Sequence, residues 1–148
     1  MALKIMNKMI LAISVLTGLT PINIVKADTI FACVTTNNKK IEVNSFDQYV
    51  EYKFGQYLKN PELALSVPRD QASTWQWNGV GRDMSYSVTV PNGAYNYTVF
   101  FSVDRISDEH PVTSGVIIEV DQKIISTVYC LPNTLVQSLE GIDLKEDD

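Results

Sequence analysis

The residue types that could carry out catalysis meet at one place in this sequence, around its single histidine in Asp108-Glu109-His110-Pro111. His110 with Asp108 or Glu109 would be the acid–base pair of a small hydrolase. A triad also needs an activated nucleophile and an orienting group, and no motif such as G-x-S-x-G supplies them. Asp104, Asp108 and Glu109 could gather around calcium, but EF-hand spacing is missing. We therefore expect a solvated loop here, with no catalytic residue, no metal and no cofactor.

Residue types suited to recognition are concentrated in residues 67–82, which contain both tryptophans of the chain. Trp75 and Trp77 are two residues apart, so on a strand they would point to the same face. If that face is exposed, it could stack on sugar rings or anchor a protein partner. If it is buried, the two indoles belong to the core.

Two arginines, Arg69 and Arg82, bracket the tryptophans. Each could form a bidentate pair with a neighbouring carboxylate, Asp70 or Asp83, or reach an acidic group of a ligand. Residues 104–114 form a polar loop that is longer than a hairpin needs, which makes it a second candidate surface. The candidate binding residues on these two surfaces are Arg69, Trp75, Trp77, Arg82, Arg105 and His110.

Residues 1–27 have the parts of a secretory signal peptide. Two lysines precede an uncharged apolar run, residues 9–19, that is too short to span a bilayer. Val25-Lys26-Ala27 places small residues at the positions that a signal peptidase reads. We expect cleavage after Ala27, which leaves one domain of residues 28–148 in the periplasm or outside the cell. Retention of the segment as an N-terminal anchor is the alternative.

Removal of the signal peptide would make the chain strongly acidic. The full sequence has 12 basic and 17 acidic residues, and three of the lysines lie in residues 1–27. Nine basic residues then stand against 17 acidic ones, a net charge of −8. Such a charge opposes binding to nucleic acid and to anionic lipid, and it would attract a basic protein. Acidity also favours solubility, with no partner involved.

Cys33 and Cys130 are the two cysteines of the sequence. An even pair in an exported protein predicts a disulfide bond. The C-x-x-C spacing of redox proteins and the Cys/His clusters of zinc sites are missing from the sequence. We therefore expect a structural bridge between the first strand and a late one.

Alternating apolar and polar residues predict strands along almost all of the mature chain. The clearest signal is a hairpin in which residues 84–90 and 95–103 alternate around Pro91-Asn92-Gly93. Residues 135–144 could be a last strand or one or two helical turns, and residues 145–148 a frayed acidic tail. About eight strands with short connections predict an all-β fold, either an antiparallel sandwich or a small barrel, with one disulfide.

Resemblance to known proteins is carried by five segments, residues 31–36, 61–69, 75–81, 86–93 and 139–142. They resemble a group of small exported proteins of Gram-negative bacteria that have no assigned activity. The resemblance covers most of the mature chain and implies no function. In its layout of signal peptide, acidic β-domain and long-range disulfide, the chain is also similar to the periplasmic inhibitors of lysozyme. That similarity is one of architecture, and no inhibitory residue is carried over.

The sequence therefore predicts an exported binding protein without catalytic activity. The first hypothesis is an inhibitor or immunity-type factor against a cationic cell-wall hydrolase, and the expected partner is a basic protein. The second is a carbohydrate- or envelope-binding module that uses Trp75 and Trp77. The third is a small hydrolase built around His110. No nucleic acid and no membrane insertion after signal cleavage are expected.

Overall fold

The computed structural model describes residues 26–147, so the predicted signal peptide lies outside the described residues except for its last two positions. Eleven strands and one short 3-10 turn (η1) make up the fold. In chain order they are β1 (Asp28–Val34), β2 (Lys40–Ser45), β3 (Tyr49–Gly55), β4 (Leu63–Pro68), β5 (Ser73–Gln76), β6 (Asp83–Asn92), β7 (Tyr95–Asp104), β8 (Val112–Val120), β9 (Lys123–Tyr129), η1 (Pro132–Thr134), β10 (Val136–Gln137) and β11 (Lys145–Glu146). Among the described residues there is no helix that could span a bilayer.

The strands form two sheets that face each other as a sandwich. Sheet I has the order β10-β1-β2-β3-β4, and sheet II has the order β11-β5-β6-β7-β8-β9. Neighbouring strands are antiparallel except for β11, which runs parallel to β5. The prediction of an all-β sandwich is confirmed, and the barrel alternative is wrong because neither sheet closes on itself. All eight predicted strands are present, and β5 and β11 are additional. β10 lies in residues 135–144, for which a last strand is one of the two predicted alternatives.

The core lies between the two sheets and consists of every second residue of the long strands. In β6 and β7 the inward positions alternate with outward ones that are mostly polar, with Phe100 as an exception, as the sequence pattern predicts. Each fully buried aliphatic side chain is expected to contribute roughly 1.5–3 kcal/mol through removal from water. The buried apolar side chains with the least exposure are Phe31, Ile41, Val43, Val50, Tyr52, Val88, Val90, Val99, Val116 and Leu139.

The C-terminal segment closes sheet II on one side. Leu139 is fully buried, and the side chain of Gln76 fixes this segment by donating from Nε2 to the Leu139 carbonyl at 2.8 Å. The expectation of a frayed tail is wrong, because Lys145 and Glu146 pair with β5 and the Asp147 N–H donates to the backbone of that strand. The tail is held by backbone groups and by polar side chains, since the Asp147 carboxylate accepts hydrogen bonds from the Ser73 and Thr89 hydroxyls, so it leaves no apolar pattern in the sequence.

The predicted disulfide is confirmed, and it ties the two sheets together. Cys33 lies in β1 of sheet I, and Cys130 directly follows β9 of sheet II, with 5.8 Å between the two Cα atoms. Both half-cystines are buried. Backbone hydrogen bonds flank the bridge, from the Leu131 N–H to the Val34 carbonyl at 2.8 Å and from the Thr36 N–H to the Tyr129 carbonyl at 2.9 Å.

Candidate binding site at the loop end

Two loops meet at one end of the sandwich, and we call them together the loop end: residues 77–82 between β5 and β6, and residues 105–111 between β7 and β8. They lie side by side because β6 begins at Asp83 and β7 ends at Asp104, and these two residues pair directly. The Arg105 N–H donates to the Arg82 carbonyl at 3.0 Å, which joins the loops through their backbones.

Trp77 and Arg105 form the contact between the side chains of the two loops. β5 ends at Gln76, so Trp77 belongs to the loop, where its Nε1–H donates to the Val80 carbonyl at 2.9 Å. Its ring packs against the edge of the core. The guanidinium carbon of Arg105 lies 4.4 Å from the ring centroid, a cation–π contact. One face of Trp77 is therefore already occupied within the protein.

Asp104 connects the two loops of the loop end through several hydrogen bonds. Its Oδ2 accepts hydrogen bonds from Nε and Nη2 of Arg82 at 2.9 and 2.6 Å, and its Oδ1 accepts the Ile106 and Ser107 N–H groups at 2.9 and 3.1 Å. These donors favour the charged carboxylate, so the pKa of Asp104 lies below its ordinary range, first because of Arg82. The backbone carbonyl oxygen of Asp104 also forms a hydrogen bond with Nδ1 of His110, at 3.0 Å.

The sequence identified Asp104 only as a member of a possible calcium group. The signal for its actual role is an aspartate at the end of a strand, whose carboxylate can accept N–H groups two and three residues further on. Arg82 pairs with Asp104 and not with its neighbour Asp83. The reason is that β6 and β7 bring the two together across 22 residues of chain.

His110 is an exposed loop residue with a positive φ of 45°. Its side-chain hydrogen bond goes to a backbone carbonyl and not to Asp108 or Glu109, so the predicted acid–base partners are not in contact with it. Within residues 26–147, no group of three or more His, Cys, Asp or Glu side chains is placed to hold a metal ion. The arrangement positions His110 as part of the loop scaffold.

Two aliphatic side chains stand out from the tips of the loop end. Val80 is 76% exposed and Ile106 is 67% exposed. The backbone N–H groups of both residues already have hydrogen-bond partners, since the Val80 N–H donates to Oδ1 of Asn78 and the Ile106 N–H donates to Oδ1 of Asp104. Neither residue was predicted from the sequence, because a single apolar residue in a loop has no pattern that shows whether its side chain is exposed or buried.

Arg69 is not part of the loop end. Its guanidinium donates to the Ser45 hydroxyl at 2.6 Å and to the carbonyls of Phe46 and Asp143 at 3.0 and 2.7 Å. It thereby joins the turn between β2 and β3 to the C-terminal segment. The neighbouring carboxylate of Asp70, one of its predicted partners, forms no ion pair with it in the described structure.

Trp75 lies on a different surface, the outer face of sheet II. The expected common face with Trp77 is not formed, because β5 ends between the two residues. Cross-strand register places Trp75 in a row with Ser87, Phe100, Gly115 and Tyr129. Trp75 and Tyr129 are each 49% exposed, and the Phe100 and Tyr129 rings meet edge to face with centroids 6.4 Å apart. Since strands are spaced by about 4.8 Å, Phe100 lies roughly 10 Å from Trp75 across the sheet.

The structure thus brings together four of the six predicted binding residues, Trp77, Arg82, Arg105 and His110, and places Arg69 and Trp75 elsewhere. What bears on function is the geometry of the loop end and of the sheet surfaces. No family model, curated protein or solved structure matches this chain.

Proposed function

We propose that this protein is an exported binding protein whose loop end docks onto a basic protein, with a cationic cell-wall hydrolase that it inhibits as the partner class. The observation that carries the proposal is the combination of two loops fixed to each other with two aliphatic side chains, Val80 and Ile106, exposed at their tips.

Rigid loops favour binding because little conformational freedom is lost when a partner docks. The backbone bond between the two loops, the Arg82–Asp104 pair and the stack of Arg105 on Trp77 hold the loop end in one arrangement before any partner arrives. In protein–protein interfaces, the residues that contribute most of the binding energy are typically apolar side chains at the centre, surrounded by polar groups.

The charge of the loop end favours a basic partner. The two loops and the strand residues that flank them contain four acidic groups, Asp83, Asp104, Asp108 and Glu109, against two arginines. Both arginines have partners within the protein, Asp104 for Arg82 and the Trp77 ring for Arg105. Stacking on Trp77 leaves the charge of Arg105 in place, so four acidic groups against two arginines give this end a net charge of −2, and salt should weaken the attraction.

Export is part of the proposal and is supported by two features. Residues 1–27 have the pattern of a signal peptide. The Cys33–Cys130 disulfide is the kind of bond that persists in oxidising compartments such as the periplasm. A small acidic protein of the periplasm or the outside of the cell would meet cationic hydrolases there.

The experiment is a capture of envelope proteins on the immobilised oxidised protein at low and high salt, read by mass spectrometry. We expect a basic protein that is retained at low salt and released at high salt. The double variant Val80→Ala/Ile106→Ala should weaken its binding at least about tenfold, the loss typical of an interface hot spot. Inhibition is then measured by adding the protein to the captured enzyme.

The matched control is Tyr57→Ala, which removes a side chain that is also 67% exposed but lies outside the loop end. It should bind like the unchanged protein. Capture of no basic protein at low salt, or an equal loss in the control variant, would contradict the proposal.

The outer face of sheet II supports a second candidate function, binding of a cell-wall glycan. The observation in its favour is the half-exposed indole of Trp75 in one row with Phe100 and Tyr129. Sugar rings stack on such rings, and this contact is insensitive to salt. Glycan binding that persists at high salt, is lost in Trp75→Ala and is kept in Tyr95→Ala would favour this function.

A further inference from the structure

β9 is the outermost strand of sheet II, and no described strand pairs with its outer side. Only its last residue has an outer partner, because the Thr36 N–H donates to the Tyr129 carbonyl. In an antiparallel strand the outward backbone groups belong to every second residue. The N–H and C=O of Thr127 therefore also face outward, where β9 pairs with nothing in the described structure. We call this strand, over residues 123–128, the β9 edge.

The β9 edge has only one of the usual protections of an exposed strand, a β-bulge at Ile125, where the register with β8 shifts. Natural edge strands are commonly blunted by proline, by several charges or by a covering segment. In this protein β4 ends in Pro68, and β1 and β5 are each covered by a short terminal strand. The β9 edge has no proline and a single charge, Lys123, and it presents Ile124 at 63% and Ile125 at 57% exposure.

The distribution of charge favours one kind of partner strand for this edge. The chain has 17 acidic residues, yet none lies in residues 111–118 or 122–139, which include β9, β10 and most of β8. A basic partner would find no carboxylate on this strand. A second copy of the same acidic chain would meet less repulsion here than on the rest of its surface.

We propose that the β9 edge pairs antiparallel with the β9 edge of a second copy, which joins the two six-stranded sheets into one sheet across a two-fold axis. Such a pairing is self-complementary, since each copy offers the same outward N–H and C=O groups to the other. This proposal is independent of the function proposed for the loop end.

Sedimentation velocity over a concentration series of the oxidised protein tests the pairing. We expect a dimer that persists at high salt, because no charge attraction holds it. The double variant Ile124→Lys/Ile125→Lys should weaken dimerisation at least about tenfold through repulsion and loss of apolar contact. The matched control, Ile106→Lys, adds a charge at a loop-end isoleucine of similar exposure and should leave the dimer intact.

Hydrogen exchange identifies the surface that is used. The Thr127 amide should be protected in the dimer and should exchange freely in the monomeric double variant. A monomer at every concentration would overturn the proposal, and so would a dimer that the double variant leaves unchanged. The protein could instead stay monomeric and show protection of the Thr127 amide only when envelope proteins are added. That result would mean that a strand of another protein pairs with the edge, and it would overturn self-pairing.

Discussion

The loop end and the β9 edge expose aliphatic side chains to similar extents but differ in the backbone beneath them. Val80 and Ile106 are 76% and 67% exposed, and Ile124 and Ile125 are 63% and 57% exposed. At the loop end, the N–H groups of both exposed residues have partners within the protein. At the β9 edge, the outward groups of Thr127 have no pairing strand. Exposure alone therefore does not distinguish a side-chain docking site from a strand-pairing site, whereas backbone hydrogen bonding does.

The two regions also differ in how salt should affect them. Four acidic groups lie at the loop end, so the proposed association with a basic partner should weaken as salt screens the charges. The β9 edge has one charge, and association there depends on backbone hydrogen bonds and apolar contact. Loss of partner capture at high salt, together with a dimer that persists at high salt, would separate the surfaces without any mutation.

The largest expected effect is that of the disulfide, which directly follows β9, where the Cys130 N–H donates to the Ser114 carbonyl of β8 at 2.9 Å. The double variant Cys33→Ser/Cys130→Ser should lower the free energy of unfolding by roughly 4–5 kcal/mol, because the bridge closes a loop of about 100 residues. The measurement is urea denaturation, with reduced unchanged protein as the control. A loss below about 1 kcal/mol would show that the unfolded chain gains little freedom when the bridge is absent.

Two glycines allow the two regions to be perturbed separately. A Cβ at Gly115 in β8 would lie 2.2 Å from the Val128 carbonyl oxygen, so Gly115→Ala must displace β9 and should cost about 1–3 kcal/mol. Gly81 at the loop end has open space around it but a φ of 101°, so Gly81→Ala should cost about 1 kcal/mol through backbone strain.

Thermal denaturation and sedimentation together check this pair of variants. Gly115→Ala should also abolish dimerisation, and Gly81→Ala should leave it intact while weakening partner capture. If both variants lost the same association, the two surfaces would not be separate.

The smallest effect is expected from pH, and it should be confined to the loop end. The Arg82 guanidinium and two N–H groups hold the pKa of Asp104 below its ordinary value. A lowered folded-state pKa means that this stabilisation is complete above the unfolded-state pKa, near 3.9, and is lost as the pH falls through the folded-state pKa. As the pH falls through the lowered folded-state pKa of Asp104, the Ile106 and Ser107 amides should therefore lose protection relative to their intrinsic exchange rates in NMR experiments, because they lose the carboxylate that accepts them.

The controls for the pH experiment are Asp104→Ala, which should show fast exchange of the two loop amides at all pH values, and Asp104→Asn, which keeps an acceptor oxygen and should show exchange that does not depend on this titration. The amides of β9 should not respond in this range, because the strand contains no carboxylate. An equal response in β9 would mean that acid opens the whole sandwich and that Asp104 is not the cause.

The long strands could be predicted from sequence because one face of each is buried. Met84, Tyr86, Val88 and Val90 repeat every second residue, and the structure places them towards the core. The short strands could not be predicted, since β10 and β11 are two residues each and are held by backbone bonds that any residue can make. Residues 135–144 gave no clear period because only Leu139 of this segment is fully buried.

The candidate site was predictable in its residue types but not in its partners. Trp77, Arg82 and Arg105 were identified because such side chains are typical of recognition surfaces. Their actual arrangement depends on Asp104, which meets Arg82 only after β6 and β7 have paired. Contacts of this kind arise from strand register, and local sequence favours the nearer carboxylate.

The short strand β11 limits how far assembly through sheet II can proceed. A sheet with two open edges can add copies at both sides and grow into a filament. In this protein Lys145 and Glu146 pair with Ser73 and Thr74 of β5, so the side of sheet II opposite β9 ends in a strand of only two residues. Such a short edge offers few backbone groups to another copy. The proposed pairing through β9 would therefore stop at two copies, and the last described residues would limit the size of an assembly that they do not themselves join.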